Sequence, residues 1–363
     1  MNLIVDAHED LAFNIATYGR DYTRAASATR ELEAGSRTVE LNGDTLLGWP
    51  EYQRGRVAVI FSTLFAPPAR HLEGAWENYF YRDGDYNAAH KLYWAQLETY
   101  HRLVDSHNDK FRLIASRTDL KRILDHWHSP ADEHPVGLVP LMEGADAIRT
   151  PSELRQWWEF GLRIIGLAWA GTRYCGGTKE PGPLTDEGRA LLKAMADFPF
   201  TLDLSHMDEA SALEALDIYQ GPIIASHVNC LALLDGIDTN RHFSDGVLRG
   251  IIERNGIIGS VPFNTFLKVG WMRAKGSRRE EVSLSVLADH IDHVCQLAGD
   301  TSHAALGTDF DGGFGLQSVP HEIDTIADMH KLSDFLGPRG YSDADLTGIL
   351  GGNWLTHLQE HLP

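Results

Sequence analysis

Eight apolar runs that alternate with helical segments constrain this 363-residue chain more than any other feature. Each run is short and continuous, which is typical of parallel strands whose two faces are both covered. One irregular stretch, at about residues 11–55, interrupts the alternation. The predicted strands are Leu3–Val5, Arg56–Phe65, Pro135–Gly144, Leu162–Trp169, Phe200–His206, Pro222–His227, Ile257–Phe263 and Ala304–Asp309.

This alternation favours an α/β fold of the (β/α)8 TIM-barrel class. We expect a single barrel domain over residues 1–363, with an inserted excursion at about 11–55. A doubly wound open sheet is the alternative. No glycine-rich phosphate loop follows the first strand, which weakens a nucleotide-binding version of that sheet.

Composition argues against several classes of partner. The chain has 32 Lys and Arg against 51 Asp and Glu, a formal net charge of −19, which disfavours nucleic acid and anionic membranes. No apolar run reaches membrane-spanning length, and the N-terminus lacks the basic region of a signal peptide. Cys175, Cys230 and Cys295 are far apart and have no metal-binding spacing, so we expect a cytoplasmic protein without disulfides.

Potential metal ligands stand at the ends of several predicted strands. His8 and Asp10 are two residues apart, so in an extended chain their side chains point the same way. Later strands end in Glu143, His206, His227 and Asp309. Each residue alone has an ordinary explanation, such as a capping aspartate or a hydrogen-bonded core histidine. In a barrel, however, all carboxyl ends of strands meet at one face, and the coincidence there predicts a metal site.

The ligand count predicts two divalent ions, and zinc suits nitrogen and oxygen ligands. The ligands form two pairs around a shared carboxylate: His8 with Asp10, His206 with His227, and Glu143 between them. Two ions about 3.5–4 Å apart can share a hydroxide and polarise a carbonyl. Asp309 would lie beside this hydroxide as the general base.

The motifs around these residues resemble the membrane (renal) dipeptidase family, peptidase family M19, of the amidohydrolase superfamily. In order they are DAHED, LMEGAD, LDLSH, ASH and GTDFDG, and the resemblance extends from residue 6 to the GGNW stretch at 351–354. It implies a binuclear zinc barrel that hydrolyses dipeptides, often with tolerance for a D residue on the C-terminal side. By the same resemblance, one zinc ion is bound by His8, Asp10 and Glu143, and the other by Glu143, His206 and His227.

The resemblance also implies two further roles and contains one departure. Asp309 matches the acid that handles the proton of the water, and Arg241 matches the arginine that binds the substrate carboxylate. Trp169 stands where mammalian members carry a histidine at the end of strand four. We interpret Trp169 as pocket wall, because an indole cannot exchange a proton there. Arg173 and Tyr174, just after that strand, are further candidates for substrate binding.

The sequence therefore predicts a zinc-dependent dipeptidase, a metallopeptidase that acts on L-L and also on L-D dipeptides. One alternative is a related binuclear-metal amidohydrolase acting on N-acyl amino acids or another small amide, which the departure at Trp169 favours. A non-catalytic metal-binding barrel is a third reading, and Asp309 argues against it. The expected partner is a small dipeptide substrate, and the sequence leaves open whether the chain forms a homo-oligomer.

Overall fold

Eight parallel strands form a barrel in the computed structural model, which describes residues 2–72, 79–237 and 239–363. The strands are β1 Ile4–Glu9, β2 Val57–Leu64, β3 Val136–Glu143, β4 Ile164–Gly166, β5 Thr201–Asp203, β6 Ile223–Ile224, β7 Ile258–Ser260 and β8 Ala304–Leu306. They lie side by side in chain order, and the prediction of a (β/α)8 barrel is confirmed.

Two isolated bridges close the barrel where regular pairing ends. Strands β1 to β6 form one continuous parallel sheet, and β7 pairs with β8. The Ala225–Ile258 bridge joins β6 to β7, with Gly259 N donating to Ala225 O at 2.8 Å. The Glu9–Phe310 bridge joins the segment after β8 to β1. The strand order therefore returns to β1, which an open doubly wound sheet would not do.

The α-helices connect and follow the strands of the barrel. They are α1 Leu11–Tyr18, α2 Ala26–Glu33, α3 Arg37–Asn42, α4 Trp49–Gly55, α5 Tyr86–Ser106, α6 Arg117–Trp127, α7 Leu154–Glu159, α8 Asp186–Met195, α9 Glu209–Ile218, α10 Asp245–Glu253, α11 Asn264–Leu267, α12 Leu284–Ala298, α13 Leu332–Leu336, α14 Asp343–Thr347 and α15 Asn353–His361. A π-helical turn, Gly348–Gly352, joins the last two.

Short strands and 3₁₀ turns complete the architecture. Phe111–Leu113 pairs with the start of β3, and Cys175–Gly177 pairs antiparallel with Glu180–Leu184. The 3₁₀ turns are Ala69–His71, Ala145–Ala147, Pro151–Glu153, Leu231–Leu233, Arg273–Lys275, Arg279–Glu281, Leu316–Ser318, Ile326–Lys331 and Gly337–Arg339.

Local sequence accounts for where the helices of the barrel begin. The side chains of Ser116, Thr185, Asp208, Ser244 and Ser283 each accept a hydrogen bond from a backbone amide in the first turn of the helix that follows. Such caps satisfy amides that have no partner inside the helix. Strands β2 and β3 are stabilised differently. Every residue of these two strands is buried, and packing on both faces of the sheet holds them.

The excursion at residues 11–55 is helical, so its prediction as an irregular stretch was wrong. It contains α1 to α4, which are six to eight residues long. Helices this short are marginal alone, and contacts with the rest of the chain hold them. Leu316 N donates to Asp44 O at 2.9 Å, and Ile326 N donates to Leu46 O at 3.1 Å. The assignment of residues 1–363 to a single domain stays a prediction.

The three cysteines, Cys175, Cys230 and Cys295, are buried and form no disulfide. None of the helices in the described ranges combines the length and the apolar character needed to cross a membrane. The cytoplasmic location and the oligomeric state stay predictions.

Candidate active site

The side chains predicted at the strand ends converge at one face of the barrel. Nε2 of His8, at the end of β1, lies 3.7 Å from Oε2 of Glu143 at the end of β3. Nε2 of His206 and Nε2 of His227 lie 3.1 Å and 3.4 Å from the other oxygen, Oε1. Asp309 Oδ1 lies 3.9 Å from His8 Nε2. The Glu143 carboxylate therefore turns one oxygen to His8 and the other to the two later histidines.

The donor set of this cluster fits divalent metal. His8, Glu143 and His227 bring ligand atoms within 4.8 Å of one another, and so do His8, Asp10 and Asp309. His8 Nε2 is buried and has no hydrogen-bond partner among the described residues. A buried polar atom without a partner is costly, and a metal ion would satisfy it. His206 Nε2 and His227 Nε2 point at each other across 3.0 Å, close to Glu143.

Polar neighbours hold the far side of the two later histidines. Ser226 Oγ lies 2.8 Å from His227 Nδ1 and also donates to the buried carboxylate of Asp203. Thr178 Oγ1 lies 2.9 Å from His206 Nδ1. With Nδ1 engaged in each ring, Nε2 is the nitrogen that faces the centre of the cluster.

Two of these orienting residues stood beside predicted ligands in the sequence, and neither was assigned a role. Asp203 lies within LDLSH and Ser226 within ASH, so a buried polar residue next to a ligand was the available signal. Thr178 lies between the two strands of the antiparallel pair and had no sequence signal. Thr63, which donates to Asp10 Oδ1, lies inside the apolar run of β2 and was also missed.

Strained backbone occurs at two residues of the cluster. His206 has φ 68° and Asp309 has φ 57°, in the left-handed region that side chains other than glycine seldom adopt. Such conformations concentrate at functional sites. Next to Asp309, Gly312 leaves space for the carboxylate, because a Cβ at Gly312 would lie 2.0 Å from Asp309 Oδ1.

A cavity of about 440 Å³ opens over the cluster. Asp10, Glu143, His206 and Asp309 line its floor together with Arg241. Its other walls are largely aromatic: Phe13, Phe65, Trp169, Phe263, Phe266 and Phe314. A mostly apolar cavity with a few converging polar groups is the usual form of a small-molecule site.

Arg241 lies in this cavity with unused hydrogen-bond donors. Its side chain is buried, and Nη2 donates to His227 O at 2.9 Å. Nε and Nη1 are buried without a hydrogen-bond partner in the described part of the chain. Burial lowers the pKa of Arg241, an effect that the carboxylates of Asp309 and Glu143 oppose. A guanidinium with free donors at a cavity wall fits an anionic group such as a carboxylate.

Comparison with known proteins identifies the family. The model for the membrane dipeptidases, peptidase family M19, matches residues 2–361. The chain belongs to this family. The predicted resemblance is thereby confirmed, and the chain is a metallo-dipeptidase, a hydrolase of peptide bonds.

Relatives of this M19 chain are distant in sequence but match most of its length. An uncharacterized protein in the pqqA 5' region of Klebsiella pneumoniae is 28% identical over 278 residues, covering 74% of this chain and 95% of that protein. The dipeptidase verJ of Clonostachys rogersoniana is 26% identical over 308 residues, covering 83% of this chain and 72% of the relative.

A solved structure with the same fold comes from Rhodobacter sphaeroides. This metallo peptidase, liganded with a phosphinate mimic of the dipeptide L-Ala-D-Ala, is 21% identical, covers 100% of both chains and has a TM-score of 0.77. At this level of identity, the likeness supports the shared barrel fold.

Among the three histidines of the cluster, His206 and His227 have lowered pKa values, whereas His8 has a raised one. Burial lowers the pKa of His206 to about 4, with the Arg241 charge adding to the effect. Burial likewise lowers the pKa of His227 well below its usual value, and His8 and Arg241 add to it. Both rings are therefore neutral at pH 7, which is the form that binds metal.

The acids and His8 form a strongly coupled charge cluster. Burial would lower the pKa of His8, but the carboxylates of Glu143, Asp10 and Asp309 together outweigh it and raise the value to about 9. Burial would raise the pKa of Glu143, but His8, His206 and His227 hold it well below its usual value. Burial raises the pKa of Asp309, which His8 opposes and Asp10 reinforces. An excess of buried acids around one imidazole is an environment that a divalent cation would neutralise.

Trp169 of the M19 chain lines the cavity beside the cluster. Its ring centroid lies 5.1 Å from that of Phe65 and 6.3 Å from that of His206, so the indole borders the ligand cluster. Its backbone oxygen accepts a hydrogen bond from Thr178 N at 3.0 Å. This placement accords with the interpretation of Trp169 as pocket wall.

Arg173 and Tyr174 are not brought to the cavity. The Tyr174 hydroxyl is buried and donates to Ile148 O, and Arg173 Nη2 donates to the backbone oxygens of Ile148 and Arg149. β4 is only three residues long, and the chain beyond it turns into the antiparallel pair that begins at Cys175. Proximity in sequence to the strand end therefore did not place these two side chains at the cluster.

Proposed function

We propose that this M19 chain is a zinc-dependent dipeptidase with two metal ions, which cleaves L-L and L-D dipeptides at their single peptide bond. The observation that carries the proposal is the position of Glu143, with Oε2 toward His8 and Oε1 toward His206 and His227. A carboxylate that faces two groups of ligands, one with each oxygen, is suited to bridge two metal ions.

The ligands divide between the two ions around that bridge. His8, Asp10 and Glu143 would hold one ion, and Glu143, His206 and His227 the other. When bound, the two ions supply a hydroxide nucleophile at neutral pH and polarise the scissile carbonyl. The protein orients three of these ligands, through Ser226 on His227, Thr178 on His206 and Thr63 on Asp10.

Asp309 is the proposed general base. It lines the cavity beside the cluster, where a carboxylate oxygen can accept the proton of the attacking water. The same proton then passes to the amide nitrogen as the bond between that nitrogen and the carbonyl carbon breaks. The products are two amino acids, and Asp309 returns to its starting state.

Arg241 is the proposed anchor for the C-terminal carboxylate of the substrate. Its buried guanidinium has unpartnered donors at Nε and Nη1, and a carboxylate can pair with one of them together with the N–H of Nη2 that His227 O does not use. Binding the terminal carboxylate at a fixed distance from the cluster places the adjacent peptide bond at the metals. A longer peptide has no carboxylate at that position, so the arrangement selects dipeptides.

The alternative substrate class is the N-acyl amino acids. Among the described residues that line the cavity, the acids are Asp10, Glu143 and Asp309, all in the metal cluster. No separate carboxylate there is available to bind the α-ammonium group of a dipeptide. An N-acyl amino acid keeps the carboxylate that Arg241 would bind and lacks that ammonium group.

A substrate panel separates these two functions. The purified protein is assayed with L-Ala-L-Ala, L-Ala-D-Ala and N-acetyl-L-Ala, which share a C-terminal carboxylate. The proposal predicts hydrolysis of both dipeptides with a higher kcat/KM than the N-acetyl compound. If N-acetyl-L-Ala alone is hydrolysed, the substrate class is the N-acyl amino acids and not the dipeptides. Inactivity on both dipeptides by protein loaded with zinc would contradict the dipeptidase proposal.

A further inference from the structure

A cluster of three phenylalanines forms one wall of the cavity, and we call it the phenylalanine wall. Phe263 stacks on Phe314 with ring centroids 4.1 Å apart and planes at 12°. Phe266 meets Phe263 edge-on at 4.8 Å. Phe314 is buried, whereas Phe263 and Phe266 keep part of their surface exposed in the cavity. Apolar surface is therefore available to a ligand.

The phenylalanine wall adjoins the proposed carboxylate anchor. The guanidinium carbon of Arg241 lies 5.2 Å from the ring centroid of Phe266. In a dipeptide, the carboxylate carbon is bonded directly to the Cα that carries the C-terminal side chain. When Arg241 binds the substrate carboxylate, the C-terminal side chain of the substrate therefore lies beside Phe266 and within reach of Phe263.

Another aromatic group lies elsewhere on the rim. Phe13, Phe65 and Trp169 follow β1, β2 and β4, and successive ring centroids are 5.4 Å and 5.1 Å apart. The phenylalanine wall instead comes from the segments after β7 and β8. The two groups therefore belong to different parts of the cavity, and it is Phe266 of the phenylalanine wall that lies beside the Arg241 guanidinium.

We propose that the phenylalanine wall selects substrates whose C-terminal residue has a bulky apolar or aromatic side chain. This inference rests on the proposed dipeptidase function and on Arg241 as its carboxylate anchor. An aromatic or branched aliphatic side chain would bury apolar area against Phe263 and Phe266. A carboxylate or ammonium side chain would lose water there without a polar partner in the wall.

The test compares substrates that differ only in the C-terminal residue: L-Ala-Gly, L-Ala-L-Leu, L-Ala-L-Phe and L-Ala-L-Asp. We expect kcat/KM for the Leu and Phe substrates to exceed that for L-Ala-Gly by about 10- to 100-fold. The Asp substrate is expected to be the poorest. Equal kcat/KM for Gly, Leu and Phe would overturn the inference and leave the dipeptidase proposal intact.

Variants then assign the preference to the wall. Phe263→Ala is expected to reduce the ratio of kcat/KM for Phe over Gly to within about three-fold, and Phe263→Leu to reduce it partly. The matched control is Phe198→Ala, because Phe198 is also half-buried but packs on Trp158 and Phe200, outside the cavity. It should keep the wild-type ratio. An unchanged ratio in a folded Phe263→Ala or Phe263→Leu protein would overturn the inference.

The same design separates failure of the wall from failure of the proposed function. If no dipeptide is hydrolysed but N-acetyl amino acids are, the dipeptidase proposal fails. The ratio for N-acetyl-L-Phe over N-acetyl-Gly then tests the wall in its place. A high ratio that falls in Phe263→Leu would support selection by the phenylalanine wall. A ratio near one in the wild-type protein would contradict it.

Discussion

Arg20 Nη1 lies 2.9 Å from Asp311 Oδ2, two residues beyond Asp309 in the loop that follows β8. Both side chains are buried. Arg20 also donates to both oxygens of Glu33, at 3.0 Å and 2.9 Å, and Tyr22 OH donates to Asp311 Oδ2 at 3.0 Å. Residues 11–55 are thereby bonded to the loop that carries Asp309, the proposed general base.

Replacing Asp311 by Asn should therefore affect both stability and turnover. Loss of Asp311 leaves the buried Arg20 charge with Glu33 as its remaining partner, so we expect the unfolding free energy to fall by less than the about 3–5 kcal/mol of a fully uncompensated buried charge. We also expect kcat to fall more than KM changes, because the loop holding Asp309 loosens. The measurement is denaturant unfolding together with steady-state kinetics.

The control for this prediction is the exposed pair of Arg24 and Asp21, whose Nε and Oδ2 are 3.3 Å apart. Asp21→Asn should change the unfolding free energy by about 1 kcal/mol or less. If Asp311→Asn behaves like Asp21→Asn in both measurements, the Arg20–Asp311 pair does not support the loop.

Gly312→Ala should displace the Asp309 carboxylate, because the new Cβ would lie 2.0 Å from Oδ1. A misplacement of this order can lower kcat by about 100-fold. The matched control is Gly246→Ala, since a Cβ at Gly246 meets its nearest atom, Ser244 Oγ, at an ordinary 3.5 Å. A kcat for Gly312→Ala within about three-fold of the control would show that the carboxylate position is not critical.

Asp309→Asn should leave metal bound and lower kcat by about 10²- to 10⁴-fold, the usual contribution of a positioned proton-transfer group. Metal content and kcat are measured on the same preparation. The acidic limb of the pH–rate profile is expected to reflect a coupled system of titrating groups rather than one residue. Near-normal kcat with normal metal content would remove Asp309 from the mechanism.

Arg241→Met should lower kcat/KM on dipeptides by about 30-fold to several thousand-fold. Removing one partner of a buried charge pair costs about 2–5 kcal/mol, and each 1.4 kcal/mol is about tenfold. A C-terminally amidated dipeptide lacks the carboxylate and serves as the control substrate. Equal losses on both substrates, or no loss on either, would contradict the role of Arg241 as carboxylate anchor.

The barrel was predictable because the apolar patterning of each strand is local, and because the alternation of strands with helices along the chain is typical of this fold. The convergence of His8, Glu143, His206 and His227 followed from the rule that carboxyl ends of barrel strands share one face. The Nε2 atoms of the three histidines lie 3.1 Å to 3.7 Å from a carboxylate oxygen of Glu143, which agrees with that inference.

Features that depend on tertiary packing were not predictable from local patterns. The helices of residues 11–55 are held by contacts with the segment after β8, more than 250 residues away, as in the pair of Leu316 and Asp44. Thr178 reaches His206 because the antiparallel pair is bridged to the segment after β5, through Gly177 and Met207. Arg173 and Tyr174 turn away from the cavity because their side chains donate to backbone oxygens at Ile148 and Arg149.

The metal content of Glu143→Gln tests the central claim most directly. Wild-type protein is expected to bind about two divalent ions per chain, counted by inductively coupled plasma mass spectrometry. Glu143→Gln should lose ions from both positions together with its activity, because an amide is a poorer bridge than a carboxylate. The control is Glu360→Gln, at an exposed glutamate, which should match wild type. Two ions per chain and full dipeptide hydrolysis in Glu143→Gln would contradict the two-metal account.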